Sequence, residues 1–496
     1  MYGKHFAVDL GSSSGKMLLG EIVDGRKVEL REVGTFQTPR IWYNDHLCTN
    51  VYGVLENIGS TLRQLGKEGV RIASFGADSW SSDFGLVDPA GELVGLPAFY
   101  RDWRTYGMPE EVEKVISYEA LYGLSTQRRM QDSTLCQLLA IKKEKPSLLE
   151  NGNRMLFLGD LLMYFFSGRV CSELSLASYS QLFSMKNMCW ENKVFDLFGL
   201  SHTLQPEVVS SCACLGSVSR RTAEQYGIER FEIVAPAAHD TSSAVAAIPV
   251  EDGRNWAFIS TGSWFLVGME LEAPVGLPLC YRYNFSNTGA AFGKTMLKRN
   301  VTAMWILQEC MRSWKSRGVA ESYAQIQALA EQARPFAGML DTDSIEFYSP
   351  EDMPEAICAY LKRTGQGNFA PDDVGTITRM VDEAIAFKCA YAIACMEKIT
   401  GKPIEVIYVV GGASAVSLLN AMIADATNRE VIIGPREATS IGNCLLQAFG
   451  CGELSSEEEL RAIVRNSIPP KRYFPREHVE WARRQVGFEQ HCGMKE

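Results

Sequence analysis

The chain has 496 residues, 46% of them apolar and 22% charged, with a net charge of −10 at pH 7; this is ample for two or three globular domains. The acidic balance and the lack of a basic run exclude a nucleic-acid partner. No apolar stretch reaches the roughly 18 residues of a membrane span, and the fourteen cysteines include no Cys-x-x-Cys pair, which argues against a zinc framework and for a reduced, cytoplasmic chain without a signal peptide.

The first organised stretch is Phe6 to Ile22. An apolar run, Phe6-Ala7-Val8, breaks at Asp9-Leu10-Gly11; Ser12, Ser13, Ser14, Gly15 and Lys16 follow, and a second apolar run begins at Met17. The pattern predicts a tight β-hairpin. Two readings of its turn stand side by side. One is a polar surface turn. The other is a cradle for a Mg-bound polyphosphate, with small residues admitting an anion to the backbone N–H groups, Lys16 adding charge and Asp9 facing the metal or its water. The spacing is not that of a Walker A loop, because three residues rather than four separate the glycines and Met17 follows the lysine. Residues 257–270, AFISTGSWFLVGME, repeat the pattern with Ser260-Thr261-Gly262-Ser263 at the turn. A hairpin early in each half predicts a duplicated architecture with phosphates held between the halves.

Further along, Lys27–Phe36 reads as strand, and Val51–Leu65 as a helix with Val54, Leu55, Ile58, Leu62 and Leu65 on one side. Val70–Gly76 reads as a strand running into Ala77-Asp78-Ser79-Trp80-Ser81-Ser82-Asp83, the kind of polar strand end at which α/β sheets present their sites. Tyr100-Arg101-Asp102-Trp103-Arg104 mixes charge with aromatics, as in an apolar platform with hydrogen bonds for a polar ring or a surface turn held by Arg–Asp pairs. Residues 110–200 read as mostly helical, and Arg230–Val234 as a strand. His239-Asp240-Thr241 opens a small-residue helix in which Asp240 is either a helix cap or a general base. Ile248–Asn255 reads as the link between halves and Asn287–Gly293 as a flexible turn. Lys298-Arg299-Asn300 is expected to open a helix that includes Gln308, and Val381–Thr400 to form a long amphipathic helix ending at Gly401. Val406–Val410, Gly411-Gly412-Ala413, Leu418–Ala426 and Glu430–Ile433 read as strand, bare turn, helix and strand, a surface on which adenine or ribose can lie.

These residues resemble the FGGY carbohydrate kinase family and, within it, the branch acting on L-rhamnulose. The likeness rests on AVDLGSSSGK (7–16), FGADSWSSDFGLVDPAGELVGLPAFYRDWRT (75–105), AAHDTSSAVAAIP (237–249), ISTGSWFLVG (259–268), LKRNVTAMWILQ (297–308), VVGGASAVSLLNAMIADAT (409–427) and YFPREH (473–478). The resemblance implies an α/β fold of two actin-like (ribonuclease H-like) ATPase domains flanking a deep catalytic cleft. Residues 1–247 would form the mainly sugar-binding domain, 248–452 the mainly nucleotide-binding domain and 453–496 a tail packed on the body. It implies phosphorylation of the sugar's 1-hydroxyl from ATP with Mg²⁺, in a monomer or homodimer, with no partner beyond the ketose and ATP. Carried over by position, Ser12 to Lys16 would cradle the phosphates, and Ser263, Gln308 and Gly412 would line the ATP site. Asp240 would accept the proton. Ser81, His239, Asp240, Thr241 and Asn300 would meet the ketose, and Asp9 would act through the metal. This chain departs from the family pattern at Ser81, where glycine is usual, and at Lys16, Ser263 and Ala413, where arginine, threonine and a third glycine are usual. L-Fuculose or D-xylulose is the alternative acceptor. An actin-like nucleotide switch without a sugar is the alternative of another class, and Trp80, Asp83 and Arg101 speak against it.

Overall fold

The computed structural model describes residues 2–494 except 151, 252, 277 and 321. The chain folds as two compact units that are not contiguous in sequence. The first comprises the residues up to Pro249 together with Glu270–Leu297 and Glu437–Pro469; the second comprises Val250–Met269, Lys298–Arg436 and the residues from Pro470 on. The segment 437–452, read from sequence with the second half, thus groups with the first unit.

The sheet of the first unit is built from β1 (Lys4–Leu10), β2 (Ser14–Val23), β3 (Lys27–Gln37), β4 (Ser74–Ser79), β5 (Cys214–Ser217) and β6 (Glu232–Val234), in the order β5-β6-β4-β1-β2-β3. β1 is antiparallel to β2 and parallel to β4; β4 is parallel to β6, and β6 is antiparallel to the edge strand β5. The second unit repeats this plan. Its β7 (Trp256–Thr261) is antiparallel to β8 (Trp264–Leu271) and parallel to β10 (Val406–Gly411); β10 is parallel to β11 (Glu430–Ile433), and β11 is antiparallel to the edge strand β12 (Lys471–Tyr473). β9 (Thr295–Thr302) flanks β8 as β3 flanks β2. Both expected hairpins are present, and the duplication extends from them to all six strands of the first sheet; the second sheet has a seventh strand, Ser286–Gly289, with no counterpart.

The strands form because their apolar residues run nearly unbroken. Phe6, Ala7, Val8 and Leu10 in β1, like Val406–Val410 in β10, are fully buried, as expected of strands covered on both faces. One covering helix in the first unit is α1 (Val51–Lys67), started by the Asn50 side chain and burying Val51, Val54, Ile58, Leu62 and Leu65. The other helices used below are α2 (Asp240–Ala246), α3 (Met304–Arg317), α4 (Val374–Thr400), α5 (Ser417–Thr427), α6 (Ala438–Gly450), α7 (Glu457–Ser467) and α8 (His478–His491). Among the described residues no helix is long and apolar enough to cross a membrane.

Four local expectations are corrected. The strand read at Val70–Gly76 begins at Ser74 and runs on to Ser79, which brings Asp78 into the sheet. Asn287 lies in the buried strand Ser286–Gly289 rather than in a flexible turn, and its side chain bonds both backbone groups of Val275. Lys298-Arg299-Asn300 lies on β9 and not in a helix; Thr295, Val301 and Thr302 favour the extended chain, and α3 starts only at Met304. α4 begins at Val374, capped by Asp373, and is buried almost all round rather than amphipathic.

That burial has a measurable cost. Asp382 on α4 is fully buried and its Oδ2 accepts one bond, from Gln327 at 3.1 Å. Burial raises its pKa to about 7, with neighbouring Glu383 pushing the same way and Arg379 opposing. A carboxyl whose folded pKa lies above its unfolded value costs nothing below the unfolded pKa and its full penalty above the folded one. Asp382→Asn therefore raises the apparent Tm at pH 8 by about 2 °C and leaves it nearly unchanged at pH 4. Equal shifts at both pH values in a thermal melt contradict the assignment.

Candidate active site

In the first unit, strand register assembles a polar row. Asp9 of β1 pairs with Lys16 of β2 on one side and with Asp78 of β4 on the other. Paired residues of neighbouring strands share a face, so two carboxylates and an ammonium line up at the strand ends. α6 closes the row. Asn443 donates from Nδ2 to Asp78 Oδ2 at 2.5 Å, and Glu437, just before the helix, pairs with the Lys16 ammonium at 2.6 Å. Asp78 is fully buried. Burial, then the Asp9 charge, pushes its pKa well above the carboxylate range. Burial, then Asp240, raises Asp9 to about 7, with Lys16 opposing.

Asp240 joins this group as the first residue of α2. Its Oδ1 accepts the backbone N–H of Thr241 and, at 3.0 Å, the Thr241 hydroxyl. His239 Nε2 lies 3.6 Å from the same oxygen, and the ring is tilted against that of Tyr179 with centroids 5.4 Å apart. Asp240 is about one-third exposed at its side chain, at 34%. α2 is able to enter this corner because the three residues after Thr241, namely Ser242, Ser243 and Ala244, are small. It crosses α6 where Gly442 offers no side chain: a Cβ there would stand 1.8 Å from the Ser243 carbonyl oxygen.

The hairpin turn projects Ser13 and Ser14 into solvent, with Ser12 half-exposed and Gly15 buried. The turn is held from below: Thr38 donates its backbone N–H to the Ser13 carbonyl at 3.1 Å and its hydroxyl to the Gly11 carbonyl at 2.6 Å, and the Arg40 guanidinium bonds the Ser12 carbonyl. Its serine hydroxyls remain outward. Ser81 is half-buried in the loop after β4. That loop is tied down by Asp83, which accepts the Trp80 indole N–H at 2.9 Å, the Tyr100 N–H at 2.9 Å and the Gln137 amide at 2.8 Å. Arg104 in turn donates to Gln137 at 2.6 Å. The charged–aromatic block around residue 100 is therefore a braced wall beside the loop.

In the second unit the repeated turn makes its own cluster. Ser263 donates to Gln308 Oε1 at 2.8 Å, and its carbonyl accepts the Trp305 N–H at 3.0 Å, fixing the turn to the start of α3. Thr261 donates to the Val410 carbonyl at 2.7 Å and accepts the Ala413 N–H at 3.0 Å. Gly411 has φ +90°, and a Cβ on it would stand 2.5 Å from the Thr261 carbonyl oxygen; only glycine fits this close turn. Gly412 beside it is exposed, with open space where a side chain would be. Ser263 and Gln308 are thus in contact, and Gly412 is carried on the turn bonded to Thr261. Asn300 is half-buried on β9.

Asp78, Glu437, Asn443, Gln137 and Arg40 are the polar residues at these sites that motif reading passes over. Asp78 had a signal, as the acid at a strand end. Among the described residues no three acidic, histidine or cysteine side chains form a group that could hold a metal ion by themselves. Mg²⁺ usually takes one or two carboxylates and completes its shell with water and phosphate oxygens. Burial first and the Asp240 charge second disfavour the ionised form of Asp9, and a cation beside it would favour that form.

Comparison with known proteins is consistent along the chain. The family model described as "FGGY family of carbohydrate kinases, N-terminal domain" matches residues 5–247, and the corresponding C-terminal domain matches residues 257–451. A rhamnulokinase of Bacteroides thetaiotaomicron is 33% identical over 476 residues, covering 96% of each chain. One of Halalkalibacterium halodurans is 31% identical over 467 residues, covering 94% of this chain and 98% of its own. Among solved structures, a ligand-bound xylulose kinase from Lactobacillus acidophilus superposes with a TM-score of 0.80 at 12% identity, over 99% of this chain and 98% of that one. Plasmodium falciparum glycerol kinase with ADP gives 0.76 at 14% identity, over 99% and 97%. At such identities these likenesses show the fold, which is the two-domain, actin-like α/β fold.

Proposed function

The chain belongs to the FGGY family of carbohydrate kinases, and from that premise we propose that it transfers the γ-phosphoryl group of MgATP to the 1-hydroxyl of L-rhamnulose, giving L-rhamnulose 1-phosphate and ADP. The observation that carries the reading is Asp240 at the head of α2. One of its carboxylate oxygens is committed to Thr241, and the other has no protein partner among the described residues. That oxygen, Oδ2, takes the proton of the attacking hydroxyl.

Phosphoryl transfer asks the protein mainly for alignment and charge neutralisation. The outward hydroxyls of Ser12, Ser13 and Ser14, the bare backbone at Gly15 and the Lys16 ammonium hold the phosphates. Ser263, Gln308 and Gly412 line the nucleotide. Ser81, His239, Thr241 and Asn300 contact the ketose. Asp9 would hold the magnesium through its water, with Asp78 behind it; when bound, the ion draws charge from the phosphate oxygens. The named relatives support L-rhamnulose as acceptor, since two full-length rhamnulokinases exceed 30% identity.

A panel of ketoses with coupled ADP detection tests this. L-Rhamnulose is expected to give kcat/KM at least about tenfold above L-fuculose and D-xylulose, the discrimination attainable from a few polar contacts. Preference for another ketose would move the acceptor and leave the kinase chemistry in place. ATP turnover indifferent to every sugar would overturn the reading.

A further inference from the structure

Behind Asp240 lies a buried polar chain that leads from two acids to the backbone of residues 238–239. Glu173 is fully buried. Its Oε2 accepts three hydrogen bonds: from the backbone N–H of Ser175 at 2.8 Å, from the Ser175 hydroxyl, and from the backbone N–H of Ala238 at 2.9 Å. The Ser175 oxygen in turn accepts the His239 N–H at 2.9 Å. On the opposite side the Ala238 carbonyl accepts the Ser79 N–H at 2.9 Å. Residues 238 and 239 are therefore clamped from both sides immediately before Asp240. A second buried acid supports the clamp, since Asp160 takes the Glu173 N–H at 2.9 Å and the Ser172 hydroxyl at 2.5 Å.

Capping the short helix Leu174–Ala177 does not account for this. A serine or aspartate caps as well without a buried long-chain acid, and burying a carboxylate is costly, here with Oε1 left without a hydrogen-bond partner. What glutamate adds is reach to Ala238, 65 residues away in sequence. We propose that Glu173, with Ser175 as its relay, is the positioning residue of the catalytic aspartate, fixing the backbone of residues 238–239 so that the Asp240 carboxylate meets the acceptor hydroxyl. The inference rests on the reading of Asp240 as proton acceptor.

Single and double variants of the full-length protein, assayed with ATP and L-rhamnulose, test it. Glu173→Ala is expected to lower kcat by about 100-fold and Ser175→Ala by about tenfold, the scale of a misplacement near 1 Å, with KM for ATP within about twofold. In the Asp240→Asn background the same changes are expected to add no further loss, because a group acting only through Asp240 has nothing left to align. Ser175→Ala removes a single oxygen atom and serves where Glu173→Ala does not fold. Single-variant kcat values near the parent's, or losses that multiply with Asp240→Asn, would overturn the proposal. Near-parent turnover by Asp240→Asn alone would instead remove the reading beneath it.

Discussion

Asp240→Asn lowers kcat by about a thousandfold, within the range for loss of a general base, while nucleotide affinity stays within about twofold. The substitution keeps shape: an amide oxygen still accepts the Thr241 N–H and hydroxyl that now hold Oδ1, so α2 begins as before. What is lost is the ability to take a proton. His239 does not replace it, since its Nε2 faces the same carboxylate at 3.6 Å. Steady-state kinetics with L-rhamnulose, paired with ADP binding by calorimetry, check both halves of the expectation. Turnover near the parent's, or loss of ADP binding alongside turnover, would each contradict the role given to Asp240.

Gly442→Ala is expected to be nearly as damaging although it adds only one methyl group. The new Cβ would sit 1.8 Å from the Ser243 carbonyl oxygen and 2.7 Å from its carbon. Both are backbone atoms of a helix, and no rotamer change relieves the overlap, so α6 and α2 must move apart. Overpacking of this kind costs about 1–3 kcal/mol or more. The separation also pulls at both ends of the site: Asn443, the next residue on α6, bonds Asp78, and α2 carries Asp240. A fall in kcat of about 100-fold is expected, together with a lower Tm. Gly487→Ala on α8 is the control, because its Cβ would meet only Met339 at 3.7 Å; it keeps full activity and gains up to about 1 kcal/mol in helix propensity. Equal behaviour of the two variants would show that the α2–α6 crossing does not matter.

What the sequence made legible was local. Gly-Ser breaks between apolar runs marked both hairpins, and small residues after Asp240 marked a tightly packed helix start, because turn chemistry and periodicity are written in adjacent residues. The pairing of Asp9 with Asp78 was not, since it depends on a register between strands some seventy residues apart. Glu437 and Asn443 were hidden for a different reason: α6 is a run of small and apolar residues that reads as core, and nothing in it announces that Asn443 bonds the buried Asp78 or that Glu437 before it pairs with Lys16. Asn300 was misplaced onto a helix because basic and amide residues preceding Trp305 resemble a helix start, whereas the neighbouring strand claims them. The duplication itself was visible, but its division of labour was not. Where β1 and β4 pair Asp9 with Asp78, β7 and β10 pair Ser260 with Val410, so one copy keeps the acids and the other presents hydroxyls and glycine.

The split composition of the first unit has a consequence for biogenesis. Its sheet strands leave the ribosome early, yet α6, which bonds Ser74 through Gln447 and His5 through Cys444, is made only after the ribosome passes Glu437. Until then a nascent chain carries β1, β2 and β4 with one apolar face uncovered, an aggregation-prone state. Fragments ending before Glu437 would be clients of chaperones and proteases rather than half-enzymes, and the acids that serve turnover are assembled among the last events of synthesis.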